Sequence, residues 1–365
     1  MQINAAAPRA VVRTSAPVAA PPQPAAPAPV PAPRENGVWR FIKHFLAPSH
    51  LWHNPAAKAP ANPTSLKIAS YNIQLGGQHL DQAMANLKGM NADVICLQET
   101  TRESAEAIAK QLGMHMYFAS GRMYLDDKAI LSKYPITAAE DHAFSDTGWQ
   151  RFMTYLHGIP KHGVTATEPI GRRSTLHVTL QVGGHTVEVL DPHLSSADKQ
   201  ANTLQLNELA DYAKKLGTQG HTVLMAGDFN TDFMQKPDGK PGGATDTKQE
   251  WADRYHRAAE PADAANLAAA AKLNGTLQSY WDTAARRVVL SGGKLTSPEA
   301  AAASGKTDKR TQRVIDGVSH LGAEQRFDSV FASQDVQMVE AYIDQDHAGS
   351  DHQPIMAEVR FLGNS

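Results

Sequence analysis

The segment LMAGDFNTD, residues 224–232, holds a hydrophobic run that stops abruptly at a group of polar residues. A short apolar run bounded by turn-forming residues predicts a buried strand. Asp228 and Asn230 therefore stand two positions apart where that strand ends. A carboxylate at a strand end is often an ordinary turn or capping residue, so its meaning depends on whether distant segments supply partners for it.

Similar polar positions follow other predicted strands. They lie in SYNIQ, LQET, DPHLSS, RFDSVF and SDHQP, which are far apart in the sequence. In α/β folds, catalytic and binding sites are built at the ends of strands. We therefore interpret these positions as one site. Its candidate residues are Asn72, Glu99, His193, Asp228, Asn230, Asp328, Asp351 and His352.

The residue types at these positions favour one kind of chemistry. Carboxylates and amides without cysteine or clustered histidine ligands suit a hard divalent cation, Mg²⁺ or Mn²⁺, better than zinc. Such a cation neutralises phosphate oxygens and a leaving oxygen. Phosphoryl transfer otherwise needs a positioned water molecule and donors for the developing charge. The sequence therefore predicts a metal-assisted reaction at phosphorus.

From Leu66 onward the chain alternates between strand and helix patterns. Helical spacing is found at 81–90, 104–112 and 201–216, and Gly183-Gly184 between two alternating runs predicts a β-hairpin. Two layers of strands flanked by helices would form an α/β sandwich. The region 232–326 has only a weak helix at 258–273, and we expect helices with a long surface excursion there, because a structureless loop of that length is unusual.

The ordered segments SYNIQ, LQET, AILSKYPI, HL, GDFN, FDSVF and SDHQP resemble the endonuclease/exonuclease/phosphatase superfamily. It includes DNase I-like nucleases, abasic-site endonucleases, neutral sphingomyelinases and inositol-polyphosphate 5-phosphatases. The resemblance covers roughly residues 66–361, with an insertion at about 235–325 unmatched. It implies a four-layered α/β sandwich, with two mixed β-sheets packed face to face and helices outside. It also implies a Mg²⁺-dependent phosphoesterase, a hydrolase acting on ester bonds.

The resemblance also implies a role for each residue that matches a motif. Glu99 should be the principal metal ligand, with Asn72 beside it and Asp351 contributing. Asp228 should position or activate the attacking water, and Asn230 should hold a phosphoryl oxygen.

His352 should be oriented by Asp328 and should stabilise the pentavalent phosphorus, while His193 donates to the phosphate from the other side. Arg172 and Arg173 precede a strand where family members often carry an arginine. One of them would grip phosphate through two hydrogen bonds, and a solvated loop charge is the alternative.

Some segments depart from the family pattern. Asp126, Asp127 and Lys128 stand before the AILS strand, where many members have a small polar residue, and LDP replaces the commoner Asn-Thr before His193. No Trp-Cys-Asp-Arg-type signature lies near Asp328, which counts against the inositol 5-phosphatase branch. None of these differences removes a predicted catalytic group.

The N-terminal part of the chain has a different composition. Residues 1–36 are rich in proline and alanine and predict a disordered segment. Residues 37–64 predict a basic amphipathic helix and a linker, and the stretch from Trp39 to Trp52 would either dock on the domain or contact a membrane surface. The catalytic domain would span 65–363. We find no apolar run of membrane-spanning length and no clear secretory signal, so we expect a soluble bacterial protein, cytoplasmic or exported as an injected effector.

Composition limits the choice of substrate without deciding it. A net charge of -2 and a pI of about 6.8 do not fit a protein that coats nucleic acid. We expect a phospholipid or small phosphoester as substrate, with a nuclease and a catalytically inactive scaffold on the same fold as alternatives.

The insertion also contains a basic stretch, which would either line a nucleic-acid groove or be solvated; its residues are Lys306, Lys309, Arg310 and Arg313. The single cysteine, Cys96, predicts a core residue, and we expect no obligate protein partner.

Overall fold

The computed structural model describes most of the chain from residue 49 onward, namely residues 49–61, 63–74, 79–119, 127–145, 173–196, 199–233, 261–282, 286–290, 294–303, 309–322, 325–344 and 346–362. The predicted N-terminal tail, most of the amphipathic segment after it, Asp126, Arg172 and Lys306 lie outside these ranges. No helix in the described ranges combines the length and the apolar character needed to cross a membrane.

The described residues form fifteen strands: β1 His50–Trp52, β2 Ser65–Asn72, β3 Val94–Gln98, β4 His115–Ala119, β5 Lys128–Ser132, β6 Ile136–Ala143, β7 Ser174–Val182, β8 His185–Pro192, β9 Thr222–Asp228, β10 Gln278–Ser279, β11 Arg286–Leu290, β12 Lys294–Thr296, β13 Asp328–Ala332, β14 Val336–Asp344 and β15 Ile355–Phe361. The helices are α1 Leu80–Met90, α2 Arg102–Leu112, α3 Lys199–Thr218, α4 Pro261–Thr276, α5 Pro298–Ala303 and α6 Lys309–Asp316, with a short 3-10 turn at Tyr280–Asp282.

The strands form two mixed sheets, which confirms the predicted fold class. Sheet A has the order β1-β4-β5-β3-β2-β15-β14-β11-β12, and sheet B has the order β10-β13-β9-β8-β7-β6. Most neighbours are antiparallel, but β2 runs parallel to β3, β8 to β9 and β11 to β14. In the first two of these pairs a single helix makes the crossover, α1 in sheet A and α3 in sheet B. Both strands of a pair therefore end at the same edge of their sheet.

Three buried layers hold the sandwich together. The core between the sheets includes Ile68 of β2 and Leu224 of β9. The next residues along these strands face outward: Ala69 packs in the outer core that includes residues of α1 and α2, and Met225 in the one that includes residues of α3 and α4. Because β3 and β9 are buried on both faces, their segments VICL and VLMAG are continuous apolar runs in the sequence.

Three glycines act at opposite ends of β8, Gly227 near the polar strand ends and Gly183-Gly184 at the β7–β8 hairpin. A side chain at Gly227 would collide with the backbone of Pro192, so glycine allows β8 and β9 to approach closely just before Asp228. Gly183 and Gly184 have φ angles of 57° and 85° and form the tight turn between β7 and β8. The predicted hairpin is therefore confirmed.

The described part of the insertion contains strands and helices that pack on the domain, where a surface excursion was expected. This part adds β10 to the edge of sheet B and the β11–β12 hairpin to the edge of sheet A. Tyr280 and Val314 from this region are buried in the core between the sheets. Lys309, Arg310 and Arg313, which sequence reasoning left as a groove or a solvated stretch, fall within α6.

The segment between the predicted tail and the domain also differs from expectation. Residues 37–64 were predicted as a helix and a linker, but His50–Trp52 form β1, which pairs with β4 at the end of sheet A. Trp52 packs on the outer core of that sheet, with Lys110 Nζ 5.7 Å from the centre of its ring. A strand forms here because the backbone of β4 offers an unpaired edge.

A polar cluster between the β7–β8 hairpin and α3 makes the stability of the protein depend on pH. His177 Nε2 lies 2.8 Å from Glu188 Oε2, and His177 Nδ1 lies 3.2 Å from Glu140 Oε1. Burial alone would lower the pKa of His177, but the two carboxylates outweigh it and raise that pKa above 6.5. Burial would raise the pKa of Glu188, but His177, Thr179 and His221 outweigh it and lower that pKa below 4.5.

We predict from these shifts that this cluster stabilises the protein most between pH 4.5 and pH 6.5, the ordinary pKa values of Glu188 and His177. The contribution of His177 is complete below 6.5 and is lost as pH rises through its folded-state pKa, whereas that of Glu188 is present above 4.5 and is lost as pH falls. The melting temperature should therefore decline as pH rises above about 6.5, and Glu188→Gln should make that decline shallower. An unchanged slope in the variant would contradict the assignment.

Candidate active site

The parallel pairs β2–β3 and β8–β9 place their polar ends against each other. Asn72 at the end of β2 is in register with Gln98, so Glu99 follows at the same edge of sheet A. In sheet B, His193 forms a parallel bridge with Asp228. The two pairs face each other across the sandwich, and Asn72 therefore reaches Asp228 directly.

Asn72 is the hydrogen-bond centre of this group. Its side chain is completely buried, and Nδ2 donates to Glu99 Oε1 at 3.2 Å and to Asp228 Oδ2 at 3.1 Å. Its Oδ1 accepts from the backbone N–H of Gln74 at 3.0 Å. Sequence reasoning predicted Asn72 as a metal ligand, and in this structure it presents an N–H donor to both carboxylates. It fixes their orientation relative to each other.

Asp228 is a buried carboxylate surrounded by donors. Its Oδ1 accepts from the backbone N–H of Asn230 at 2.9 Å, and its Oδ2 lies 3.6 Å from the Nε2 atoms of both His193 and His352. Burial would raise the pKa of Asp228, but His352, His193 and the hydrogen bonds from Asn230 and Asn72 lower it below its ordinary value. Asp228 is therefore ionised at neutral pH and able to accept a proton.

His352 and Asp328 form a buried pair beside Asp228. His352 Nδ1 lies 2.7 Å from Asp328 Oδ2, and Asp328 stands opposite Asp228 in the β13–β9 pair. The backbone N–H of Asp328 donates to Ser319 Oγ at 2.9 Å. Burial would lower the pKa of His352, but Asp328 and Asp228 raise it to about 10. The imidazole is therefore protonated at neutral pH and can donate from Nε2.

Two residues of the group have left-handed backbone conformations. The φ angle is 50° at Glu99 and 46° at Asn230. A residue with a Cβ adopts this region at a cost, and such residues are concentrated at functional sites. At Asn230 the turn brings Nδ2 within 3.1 Å of the backbone oxygen of Leu194, so the GDFN loop is tied to the loop that carries His193.

The other predicted residues lie at the margin of the group or outside it. Asp351 has a side chain that is 40% exposed, and its Oδ2 lies 3.7 Å from His320 Nε2. Arg173 immediately precedes β7, and its backbone oxygen accepts from the N–H of Phe144. Arg172 is outside the described residues, so the phosphate-binding role of this arginine pair stays a prediction.

The residues present fit a hard divalent cation. The oxygen donors are the carboxylates of Glu99 and Asp351, and the oxygen of Asn72 would join them if its amide were rotated. Carboxylate and amide oxygens are the ligands that Mg²⁺ and Mn²⁺ prefer. Among the described residues, two groups of histidine and acidic side chains have ligand atoms within 4.8 Å of one another, His320–Asp351–His352 and Asp228–Asp328–His352. Glu99 belongs to neither group and connects to Asp228 through Asn72.

Sequence reasoning missed a set of buried amides behind the site. Asn202 of α3 donates from Nδ2 to the backbone oxygens of Ser195 at 2.8 Å and Phe229 at 2.9 Å. Its Oδ1 accepts from Thr231 Oγ1 at 2.7 Å and from Asn266 Nδ2 at 2.8 Å. One side chain thus ties the His193 loop to the GDFN loop, and α4 of the insertion supports it. Asparagine on the inner face of a helix was the available signal.

We predict that Asn202→Ala lowers kcat by roughly 10- to 100-fold, because small misplacements of catalytic groups cost rate on that scale. KM should change less, since Asn202 supports the loops and does not face the substrate. Asn207→Ala is the matched control, because Asn207 lies on the same helix and bonds only to the backbone oxygen of Thr203. Equal kcat values for the two variants in steady-state kinetics would refute a positioning role for Asn202.

Comparison with known proteins gives a family match and several similar folds. The model of the Endonuclease/Exonuclease/phosphatase family matches residues 69–352, which is more than half of the 365 residues. No curated protein matches the sequence.

Three solved structures illustrate the similarity of fold. An endonuclease/exonuclease/phosphatase family protein from Bacteroides thetaiotaomicron has 17% identity and a TM-score of 0.51, over 83% of this chain and 100% of that one. A mannosyl-6-phosphatase from the same organism has 15% identity and a TM-score of 0.52, over 81% and 100%. An endonuclease/exonuclease/phosphatase from Bacteroides vulgatus has 12% identity and a TM-score of 0.52, over 82% and 100%.

Proposed function

The chain belongs to the endonuclease/exonuclease/phosphatase family, whose members are phosphoesterases, nucleases or phosphatases, and we propose that it hydrolyses a phosphoester by metal-assisted, in-line attack of water. One observation carries this proposal. The Oδ2 atom of buried Asp228 lies 3.6 Å from the Nε2 atoms of two imidazoles, His193 and His352, and Nδ1 of His352 lies 2.7 Å from Asp328 Oδ2. Asp228, the proposed base, and His352, the proposed cationic donor, thus face the same part of the site.

Glu99 and Asp351 would hold a divalent cation, which when bound would neutralise charge on the phosphoryl and leaving oxygens. Asn72 would keep Glu99 and Asp228 in fixed relative positions through its Nδ2 bonds. This arrangement would leave Oδ2 of Asp228 directed at the space between His193 and His352.

Asp228 would orient the attacking water and accept its proton at Oδ2. A carboxylate with a lowered pKa is a weak base, so its principal contribution would be to align the water on the phosphorus. His352 would donate its Nε2 proton as a hydrogen bond to a phosphoryl oxygen, where negative charge increases in the transition state. His193 and the amide of Asn230 would donate to the remaining oxygens.

The same geometry counts against the alternative that the protein is an inactive scaffold. An inactive member of the fold has no need to keep an ionised carboxylate, a protonated imidazole and their partners in contact and buried. Asp228, Asp328, His193 and His352 are each at most 4% exposed. A buried charged network is costly unless it is satisfied, and its retention favours hydrolysis.

The substrate class is a phospholipid or another small phosphodiester or monoester, with a nuclease as the second candidate. The net charge of -2 favours the first, since binding of nucleic acid relies on basic surface. A nuclease is still supported by the breadth of the family, which takes its name partly from nucleases.

The experiment that tests the proposal measures phosphate-ester hydrolysis by the full chain with Mg²⁺, with Mn²⁺ and with EDTA. Sphingomyelin vesicles, phosphoinositide vesicles, plasmid DNA and mannose 6-phosphate would be offered separately, the last because a structural neighbour is a mannosyl-6-phosphatase. We expect turnover of one lipid or small ester, abolished by EDTA. Cleavage of DNA alone would select the nuclease, and absence of turnover with every substrate would favour the scaffold.

A further inference from the structure

His320 lies beside the candidate site, although it matches no motif of the sequence. It follows α6 at the end of the insertion, and its segment is bound to the SDHQP segment by backbone hydrogen bonds. Leu321 N donates to Asp351 O and Gln353 N donates to Ser319 O, both at 2.7 Å. His320 and His352 form an antiparallel bridge between these bonds. The backbone at His320 is thus fixed relative to that of Asp351 and His352.

The distance between His320 and Asp351 suits two ligands of one ion. Nε2 of His320 lies 3.7 Å from Oδ2 of Asp351, which is longer than a hydrogen bond. Two donor atoms that are each about 2.1 Å from one metal ion lie at most about 4.2 Å apart. The side chains are 21% and 40% exposed, so a hydrated cation can reach both.

The neighbouring histidine is engaged elsewhere. His352 Nδ1 contacts Asp328 at 2.7 Å, and its Nε2 is directed at Asp228. The ring centres of His320 and His352 are 4.6 Å apart with the planes at 80°, so the two rings meet edge to face. His320 can therefore coordinate a cation without displacing His352 from the phosphoryl position.

We propose that His320 Nε2 is a ligand of the divalent cation, together with Asp351. This inference rests on the proposed function, because it adds a nitrogen donor to the metal site proposed there. The affinity of a site with a nitrogen ligand rises from Mn²⁺ to Co²⁺ and Zn²⁺, whereas Mg²⁺ takes oxygen ligands, so an imidazole donor favours the transition-metal ions over Mg²⁺. The site therefore prefers Mn²⁺ to Mg²⁺, and His320 is the residue that determines this preference.

Pulsed electron paramagnetic resonance of the Mn²⁺-loaded full chain tests the inference, because a directly bound imidazole nitrogen modulates the spin echo. We expect ¹⁴N modulation in the wild type and its loss in His320→Gln, with Mn²⁺ affinity lowered by about tenfold or more and Mg²⁺ affinity lowered less. His185→Gln is the control, since that ring stacks on Phe361 at the β7–β8 hairpin and should leave the modulation intact.

The outcomes separate this inference from the proposed function. If Mn²⁺ binds and the modulation is absent from the wild type, or unchanged in His320→Gln, the nitrogen-ligand assignment is wrong while metal-dependent hydrolysis stands. If the wild type binds no Mn²⁺ or Mg²⁺, both proposals fail. Titration of each ion by calorimetry, without any substrate, distinguishes these cases.

Discussion

Asp228→Asn is expected to lower kcat by about 10²- to 10⁴-fold, the range associated with loss of a catalytic acid or base. Asparagine keeps the shape of the side chain but cannot accept a proton from water. It also removes one of the three carboxylates, with Asp328 and Asp351, that raise the pKa of His352. Steady-state kinetics on the best substrate of the panel, together with thermal denaturation, would measure the effect.

The control for this variant is Asp211→Asn. Asp211 is an exposed carboxylate on α3 that pairs with Lys272 at 2.8 Å, far from the strand ends. Surface pairs of this kind contribute little to stability, so kcat should stay within about twofold. If Asp228→Asn kept more than a tenth of the wild-type kcat, Asp228 could not be the residue that activates the water.

His352→Gln is expected to reduce kcat by roughly 10²- to 10³-fold, as removal of a donor to developing negative charge does in other enzymes. It should also destabilise the fold by about 3 kcal/mol or more, because it leaves the buried carboxylates of Asp328 and Asp228 without their cation. Chemical denaturation would separate this loss of stability from the loss of rate.

A double variant distinguishes the two roles of this pair. Asp328→Asn combined with His352→Gln removes one buried carboxylate together with the imidazole, so it should be more stable than His352→Gln alone. Its kcat should be as low as that of the single variant, since the donor is still absent. A double variant that is no more stable, or one that regains activity, would contradict the role given to Asp328.

The central fold could be predicted because its sequence signals are local. The strands β3 and β9 are buried on both faces, so their apolar runs, VICL and VLMAG, end in polar residues, and β2 shows an apolar stretch interrupted by Lys67 and Ser70 before Asn72. The predicted helices at 81–90, 104–112 and 201–216 correspond to α1, α2 and α3 within a few residues. The edge strands β10 and β12 were missed because they are only two and three residues long. Strands that short have no periodicity of their own and form only where a neighbouring edge is available.

The sequence predicted which residues belong to the candidate site, but it did not predict most of the hydrogen bonds between them. Each polar strand end was visible in the sequence, and the parallel pairing of β2 with β3 and of β8 with β9 explains why they meet. The donor role of Asn72 depends on which side of its amide faces Asp228, which no sequence pattern encodes. Asn202 and His320 were missed because their partners are brought to them only by tertiary packing, from α4 in one case and from the SDHQP segment in the other.

The most direct test of the account is hydrolysis in ¹⁸O-labelled water, with the product analysed by mass spectrometry. The account predicts that the label appears on the phosphoryl product, at a rate that depends on Mn²⁺ or Mg²⁺ and falls with Asp228→Asn. This is the outcome of direct attack by water on phosphorus with Asp228 as its partner. Label in the alcohol product, or equal turnover in EDTA, would contradict metal-assisted attack at phosphorus.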